Sequence, residues 1–188
     1  MLYKPLFYAV VALVIGAVVA LVIGASVLLL LPTKKIQNSA LHIVEWLVHL
    51  SAPVPEISPS ELAAQMASHS DDILLLDVRE EAEYNESHLK GALHLPPAIS
   101  PEDFVNRYSA AFKGKNLVVY CSVGKRSSDA LLRVESVAKA SGAKQCYNLR
   151  GGIFRWFNDG GDVVNTQGTA TSVHPFDNVW GLFLARHQ

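Results

Sequence analysis

A chain of 188 residues, 50% hydrophobic and only 18% charged, has room for one ordinary domain with something appended. Its 16 Lys and Arg nearly balance 17 Asp and Glu, so no global field points to a nucleic-acid partner. The two cysteines, Cys121 and Cys146, lie far apart with no CxxC and no Cys/His cluster, which argues against a structural zinc site and a disulfide framework.

After a short tail (1–5), the run from Leu6 to Leu31 contains no charged residue. As a helix it would be about 39 Å long, whereas a bilayer core needs about 20 residues. A core helix of that length would show a polar face, and a signal peptide has a shorter apolar region followed by a small-residue cleavage site. Here the run ends in four leucines and Pro32. The expectation is a permanent single-pass transmembrane helix over 6–31, with a cleaved signal peptide as the alternative. Ala12, Gly16, Ala20 and Gly24 recur at every fourth position. Small residues on one helix face let two helices approach, so a homodimer through this face is expected, against the general richness of membrane helices in Ala and Gly. Lys4 flanks one end and Lys34 with Lys35 the other, too even a distribution for the positive-inside rule to choose a side.

Residues 32–53 read as a juxtamembrane amphipathic helix and a linker. Lys35, Asn38, His42, Glu45 and His49 form a polar stripe, and Leu41, Ile43, Val44, Trp46, Leu47, Val48 and Leu50 fill most of the remainder. Two placements fit this pattern equally: in the membrane interface, or packed on a soluble domain. His42 and His49 read as solvated rather than as metal ligands. The proline-rich "SAPVPEISPSE" marks a boundary.

From 54 to 165 strand-like and helix-like pieces alternate. Ser58 or Ser60 caps a helix through Met66, with Glu61 in its first turn. "ILLLDV", Ile73 to Val78, is a buried strand and "ALHL", Ala92 to Leu95, a short one. Pro101 leads a helix over 101–112. "LVVY" is another buried strand. Ala130, Leu131, Val134, Val137 and Ala138 share a helical face that Gly142 closes. "QCYNL" is a strand again, and "GGIFRWF" starts a final turn or helix. This alternation predicts an α/β domain whose parallel sheet is flanked by helices on both faces, preceded by the one transmembrane helix. In such sheets ligands bind at the carboxyl ends of strands, where Asp77 and Cys121 stand.

After Cys121 the chain reads Ser122, Val123, Gly124, Lys125 and Arg126, with a helix expected near Ser127. A short loop can aim backbone N–H groups at one point, and Gly124 permits the angles this needs. The helix start, Lys125 and Arg126 add positive charge. That setting favours a thiolate, the nucleophilic form, and an anionic substrate, with no histidine partner required. Lone loop cations are otherwise often only solvated. Cys146, inside a strand, reads as core filler.

"LLLDVREEAEYNESHLKGALHLP", "VVYCSVGKRSS" and "NLRGGIFRWFNDGGDVV" resemble, in order and spacing, the successive signatures of a single rhodanese domain over about residues 54–165. The resemblance implies a sulfurtransferase fold in which the loop cysteine carries sulfur as a persulfide. Cys121 would then be the carrier and Ser122, Val123, Gly124, Lys125 and Arg126 its substrate-binding cradle. Asp77 and Arg79 match a pair near the family's site, in a supporting role. The "LRGG" block matches the segment that packs behind the loop, with Arg150 bracing the fold. A small sulfur-containing anion such as thiosulfate would be the donor, and a thiol or cyanide the acceptor. Neither a metal nor an organic cofactor is expected.

Two rivals remain. A cysteine phosphatase separates cysteine and arginine by five residues to encircle a phosphate; here four intervene and Ser127 stands at the next position. Some rhodanese-like domains only bind a partner, although this chain keeps the cysteine. The anchor adds a lipid bilayer as partner, and a membrane protein as recipient of the sulfur. The tail, 166–188, carries Val179, Trp180, Leu182, Phe183 and Leu184, too apolar for a free end; they pack on the domain or touch the membrane.

Overall fold

The computed structural model describes residues 33–185. The expected transmembrane segment 6–31, with Ala12, Gly16, Ala20 and Gly24, lies outside these residues. Among the described residues no helix is long and apolar enough to cross a membrane. Residues from Gln37 on form a compact unit of their own.

Its centre is a five-stranded sheet in the order β1-β5-β4-β2-β3. The strands are β1 (Glu56–Ile57), β2 (Ile73–Asp77), β3 (Leu93–His94), β4 (Asn116–Tyr120) and β5 (Cys146–Leu149), and every pairing is parallel. The parallel sheet expected from the alternating pattern is therefore present. Helices α1 (Thr33–Ser51), α2 (Pro59–His69), α3 (Glu81–Glu86), α4 (Pro101–Phe112), α5 (Lys125–Ala140) and α6 (Gly152–Asn158) surround it. An antiparallel hairpin, β6 (Val163–Asn165) with β7 (Gly168–Ala170), follows. Nothing in the sequence reading anticipated it.

The strands read as unbroken apolar runs because both faces are covered. Side chains alternate along β2 and β4. Leu75, Val118 and Tyr120 join Leu62, Phe154 and Leu41 of α2, α6 and α1 in one core. Leu74, Leu76, Leu117 and Val119 join Phe104 and Phe112 of α4 and Leu131 and Val134 of α5 in the other. Cys121 continues the β4 alternation on this second side, and Cys146 lies in the same layer, buried as expected of core filler.

Helix starts follow their capping residues. Ser58 and Glu61 form a reciprocal capping box around Pro59, and Ser100 caps Asp103 ahead of Pro101. The helix after the cysteine begins at Lys125, two residues earlier than expected, because Gly124 serves as its N-cap. "ALHL" contributes only Leu93–His94 to the sheet. The proline-rich stretch is more than a linker, since Glu56 and Ile57 within it pair with Asn148 and Leu149.

Helix α1 packs one face on the unit. Leu41 and Val48 are buried against the unit, while Ile43, Trp46 and Leu50 face outward, each more than half exposed. Glu45, read as part of a solvated stripe, instead turns inward. Its carboxylate meets Arg155 Nε at 2.7 Å, with both side chains nearly fully buried. Arg155, rather than the exposed Arg150, is the bracing arginine of the GGIFR segment. The tail also divides: Leu184 is buried, Trp180 and Phe183 pack against the core, and Val179 and Leu182 are exposed.

Candidate active site around Cys121

Cys121 leaves the carboxyl end of β4, the middle strand of the sheet. The chain turns immediately into α5, and Gly124 makes that turn possible. Its φ of 103° lies in a region that L side chains rarely adopt. In this conformation the Gly124 N–H donates to Cys121 Sγ at 3.1 Å.

The loop is held from behind by α6. The N–H groups of Ile153 and Phe154 donate to the carbonyls of Cys121 and Ser122, at 2.9 and 3.0 Å. Gly152, with φ 56°, makes this approach possible, because a Cβ there would collide with both carbonyl oxygens. The glycine pair of "LRGG" is thus a packing requirement, with the segment behind the loop as expected. Ser127 fixes the loop's other end: its hydroxyl lies 2.6 Å from Asn148 Oδ1 and 3.0 Å from Gly124 O, either of which can accept its one proton.

The cations are placed differently from the simple expectation of free charge. Lys125 Nζ turns to Asp129, at 2.6 Å, on the exposed face of α5. Arg126 reaches Glu83 with two bonds, 2.7 and 2.8 Å, and Ser122 Oγ at 3.0 Å. Ser122 donates in turn to Glu83, at 3.2 Å. Burial disfavours the Arg126 guanidinium, but Glu83 and the nearby Cys121 sulfur lift its pKa above the ordinary value. Burial likewise raises Glu83, yet the Arg126 bonds and the Glu80 N–H hold it below the usual glutamate range. The loop is therefore a locked ion-pair network as well as a cradle.

Sequence reasoning missed Glu83. It sits third in the first turn of a helix that also offers Glu80, Glu81 and Glu86, and only the fold singles it out.

Asp77 and Arg79 form a fully buried pair beside the strand ends. Arg79 Nε and Nη2 bond Asp77 at 2.9 and 2.6 Å, and Nη2 also donates to Ser87 O. Burial works against the Arg79 charge, and Asp77 outweighs it, raising the pKa. Asp77 lies opposite Tyr120 in register, one residue before the cysteine. The Tyr120 hydroxyl accepts from the Leu89 N–H at 3.0 Å, and its burial pushes its pKa well up. The pair ties the segment through Ser87 to the sheet, and Tyr120 holds Leu89. His94 joins by bonding the Arg79 carbonyl at 2.8 Å.

A cavity of about 550 Å³ opens over Cys121. The loop forms its floor. Val44, Leu47, Val48 and Ser51 of α1 form one wall, and Phe176 and Trp180 of the C-terminal segment another. No histidine is among the lining residues. The sequence reading held α1 and the tail apart from the site, because their apolar residues carry no chemical signature.

Comparison with known proteins agrees with this geometry. The profile of the rhodanese-like domain matches residues 58–159. A sulfurtransferase from Allochromatium vinosum is 33% identical over 109 residues, covering 58% of this chain and 94% of that protein. The thiosulfate:glutathione sulfurtransferase of Saccharomyces cerevisiae is 27% identical over 109 residues, covering 53% of this chain and 76% of that protein. In fold, the chain is similar to the crystal structure of the BH2092 protein from Bacillus halodurans, with a TM-score of 0.50 and 24% identity, covering 70% of this chain and 87% of that one. With a profile match over half its length and a cysteine loop seated at the end of the middle parallel strand, this chain belongs to the rhodanese-like domain family.

Proposed function

We propose that this protein is a membrane-anchored sulfurtransferase that carries sulfane sulfur as a persulfide on Cys121. The observation that carries the reading is the Gly124 N–H, 3.1 Å from a sulfur at the floor of an open cavity. The Cys121 thiolate attacks the outer sulfur of a donor such as thiosulfate. The donor's S–S bond breaks, sulfite leaves with its electron pair, and Cys121 keeps one extra sulfur. The Gly124 dipole stabilises the negative Sγ of the thiolate that attacks the donor and is released again on discharge. A thiolate, or cyanide in an assay, then attacks the outer sulfur and returns the electron pair to Cys121. Ser122, Val123, Lys125 and Arg126 shape the space around the transferred atom, Glu83 fixes Arg126, and Asp77 and Arg79 support the adjacent strand end. The sulfurtransferase relatives support this reading, and so does the retention of the cysteine, which distinguishes it from a purely binding module.

The anchor rests on the uncharged run from Leu6 to Leu31. The outward ridge of Ile43, Trp46 and Leu50 on α1 suits a surface lying against lipid. Ala12, Gly16, Ala20 and Gly24 supply a face for pairing two anchors, and a neighbouring membrane protein is the natural recipient of the sulfur.

Incubation with thiosulfate followed by intact-mass measurement tests the catalytic reading. The wild type gains one sulfur atom, and Cys121→Ser gains none. A wild-type mass unchanged by every sulfane donor would establish the binding module instead. Fractionation of the full chain tests the anchor: recovery in the carbonate-washed membrane pellet is expected, and recovery in the supernatant refutes it.

A further inference from the structure

The cavity over Cys121 is far larger than an inorganic donor needs, and its walls are of the wrong kind for one. Six apolar side chains line it: Val44, Leu47 and Val48 from α1, Val123 from the loop, and Phe176 and Trp180 from the C-terminal segment. The charged groups that also border it already have partners. Lys125 is paired with Asp129, and Arg126 with Glu83. The ring of Phe176 lies over the Arg126 guanidinium, 5.0 Å away.

Phe176 holds this position at a φ of 67°, a left-handed conformation that bulky residues rarely take. Its N–H donates to His174 Nδ1 at 3.0 Å, which fixes the turn that presents the ring. Both apolar walls lie outside residues 58–159, the part matched by the rhodanese-like profile.

A hydrated dianion entering such a space loses water without gaining new partners, whereas an organic body gains by covering apolar wall. A volume of about 550 Å³ is that of an ordinary small-molecule site. We propose that the cavity selects, as the sulfur acceptor at Cys121, a thiol with an apolar body, an alkyl chain or an aromatic ring. This rests on the persulfide reading above and names its acceptor class. The thiolate RS⁻ attacks the outer sulfur of the Cys121 persulfide. A new S–S bond forms to give RS–SH, the old S–S bond breaks, and its electron pair returns to Cys121 as thiolate. The proton stays on the transferred sulfur, and no external oxidant or reductant is consumed.

The test uses the full chain in detergent, loaded to the persulfide with thiosulfate and discharged in single turnovers by propanethiol, butanethiol and hexanethiol. These differ in length but hardly in basicity, and 2-mercaptoethanol serves as the polar reference. The discharge constant should rise roughly two- to fourfold for each added methylene. Leu47→Gln and Trp180→Ala should each flatten that slope, read as the hexanethiol-to-propanethiol ratio within each variant. A flat slope in a wild type that loads normally overturns the apolar acceptor and leaves the sulfurtransferase reading standing. Failure to load with thiosulfate and with an organic thiosulfonate or polysulfide donor alike overturns the sulfurtransferase reading. The cavity is then judged by modification of Cys121 with methyl, butyl and hexyl methanethiosulfonates, located by peptide mass. Rates rising with chain length support apolar selection at this cysteine, and equal rates end the proposal.

Discussion

Arg126 and Glu83, 43 positions apart in sequence, meet through two bonds of 2.7 and 2.8 Å and so tie the cysteine loop to helix α3. Glu83 is nearly fully buried, whereas Arg126 keeps 28% of its side chain exposed. The arginine's charge is therefore directed at least as much toward holding the loop as toward attracting an anion.

Arg126→Met should reverse the sign with which Glu83 contributes to pH-dependent stability. In the wild type the Glu83 pKa lies below its ordinary value of 4.5. Its contribution is then complete above that value and is lost as pH falls through the folded pKa. Without Arg126, burial is the largest remaining influence and raises the pKa. The unpaired carboxyl then destabilises increasingly as pH rises. At pH 7 the variant should be less stable by about 2 kcal/mol, the cost of a broken buried pair discounted for the exposure of Arg126. The gap should narrow toward acid pH. Urea denaturation at several pH values measures it, and a gap independent of pH would refute the assignment.

How much of this was legible beforehand follows from chain separation. The β4–loop–α5 unit is local, so an apolar run, a cysteine, a glycine and a helical face within "LVVYCSVGKRSSDALL" define it almost completely. Asp77 was nominated by its place at a strand end, and the register with Tyr120 agrees. Glu83, Glu45 and Phe176 could not be found in this way. Each owes its role to a partner tens of residues distant, Arg126, Arg155 and again Arg126. Amphipathic periodicity even misdirects at Glu45, because a charged residue on a polar stripe reads as solvated until its buried partner is known.

Gly152→Ala should damage both fold and activity. The added methyl would meet the carbonyl oxygens of Cys121 and Ser122, which are backbone atoms fixed by Ile153 and Phe154. The positive φ adds about 1 kcal/mol of its own for any L side chain. A total loss of roughly 2–4 kcal/mol is expected, with persulfide formation reduced at least tenfold in whatever remains folded. Gly160→Ala, at a positive φ but with open space around it, serves as the comparison and should cost only about 1 kcal/mol. Equal losses at the two positions would remove the packing argument.

The two thiols should separate cleanly under alkylation. Burial pushes the Cys146 thiol up to about 11, with Glu135 adding to the effect. At pH 8 almost none of it is thiolate. Both side chains are buried, but Cys121 borders the cavity and Cys146 does not. Iodoacetamide applied to the native protein should leave Cys146 unlabelled while modifying Cys121, and both should react in denaturant. Peptide mass mapping reads the outcome. Native labelling of Cys146 at a rate comparable to Cys121 would contradict its place in the core.

Glu45→Ala should loosen α1 from the unit and open one wall of the cavity. Arg155 lies on the helix that backs the cysteine loop, and Glu45 is its close partner across that contact. Removing the carboxylate leaves a guanidinium with weaker compensation, a 3.3 Å bond to the Asn38 carbonyl and a distant Asp159. A buried charge stranded in this way costs about 3 kcal/mol. The double variant Glu45→Leu with Arg155→Met replaces the pair by apolar bulk and should recover most of that loss, since the charges need each other more than the fold needs charges. Limited proteolysis supplies the functional readout. Cleavage within residues 37–55 should accelerate in Glu45→Ala and return toward the wild-type rate in the double variant. If Glu45→Ala unfolds at the wild-type urea midpoint, the pair does not hold α1, and the wall over Cys121 must be secured by the buried Leu41 and Val48 and by the bonds to Asn38.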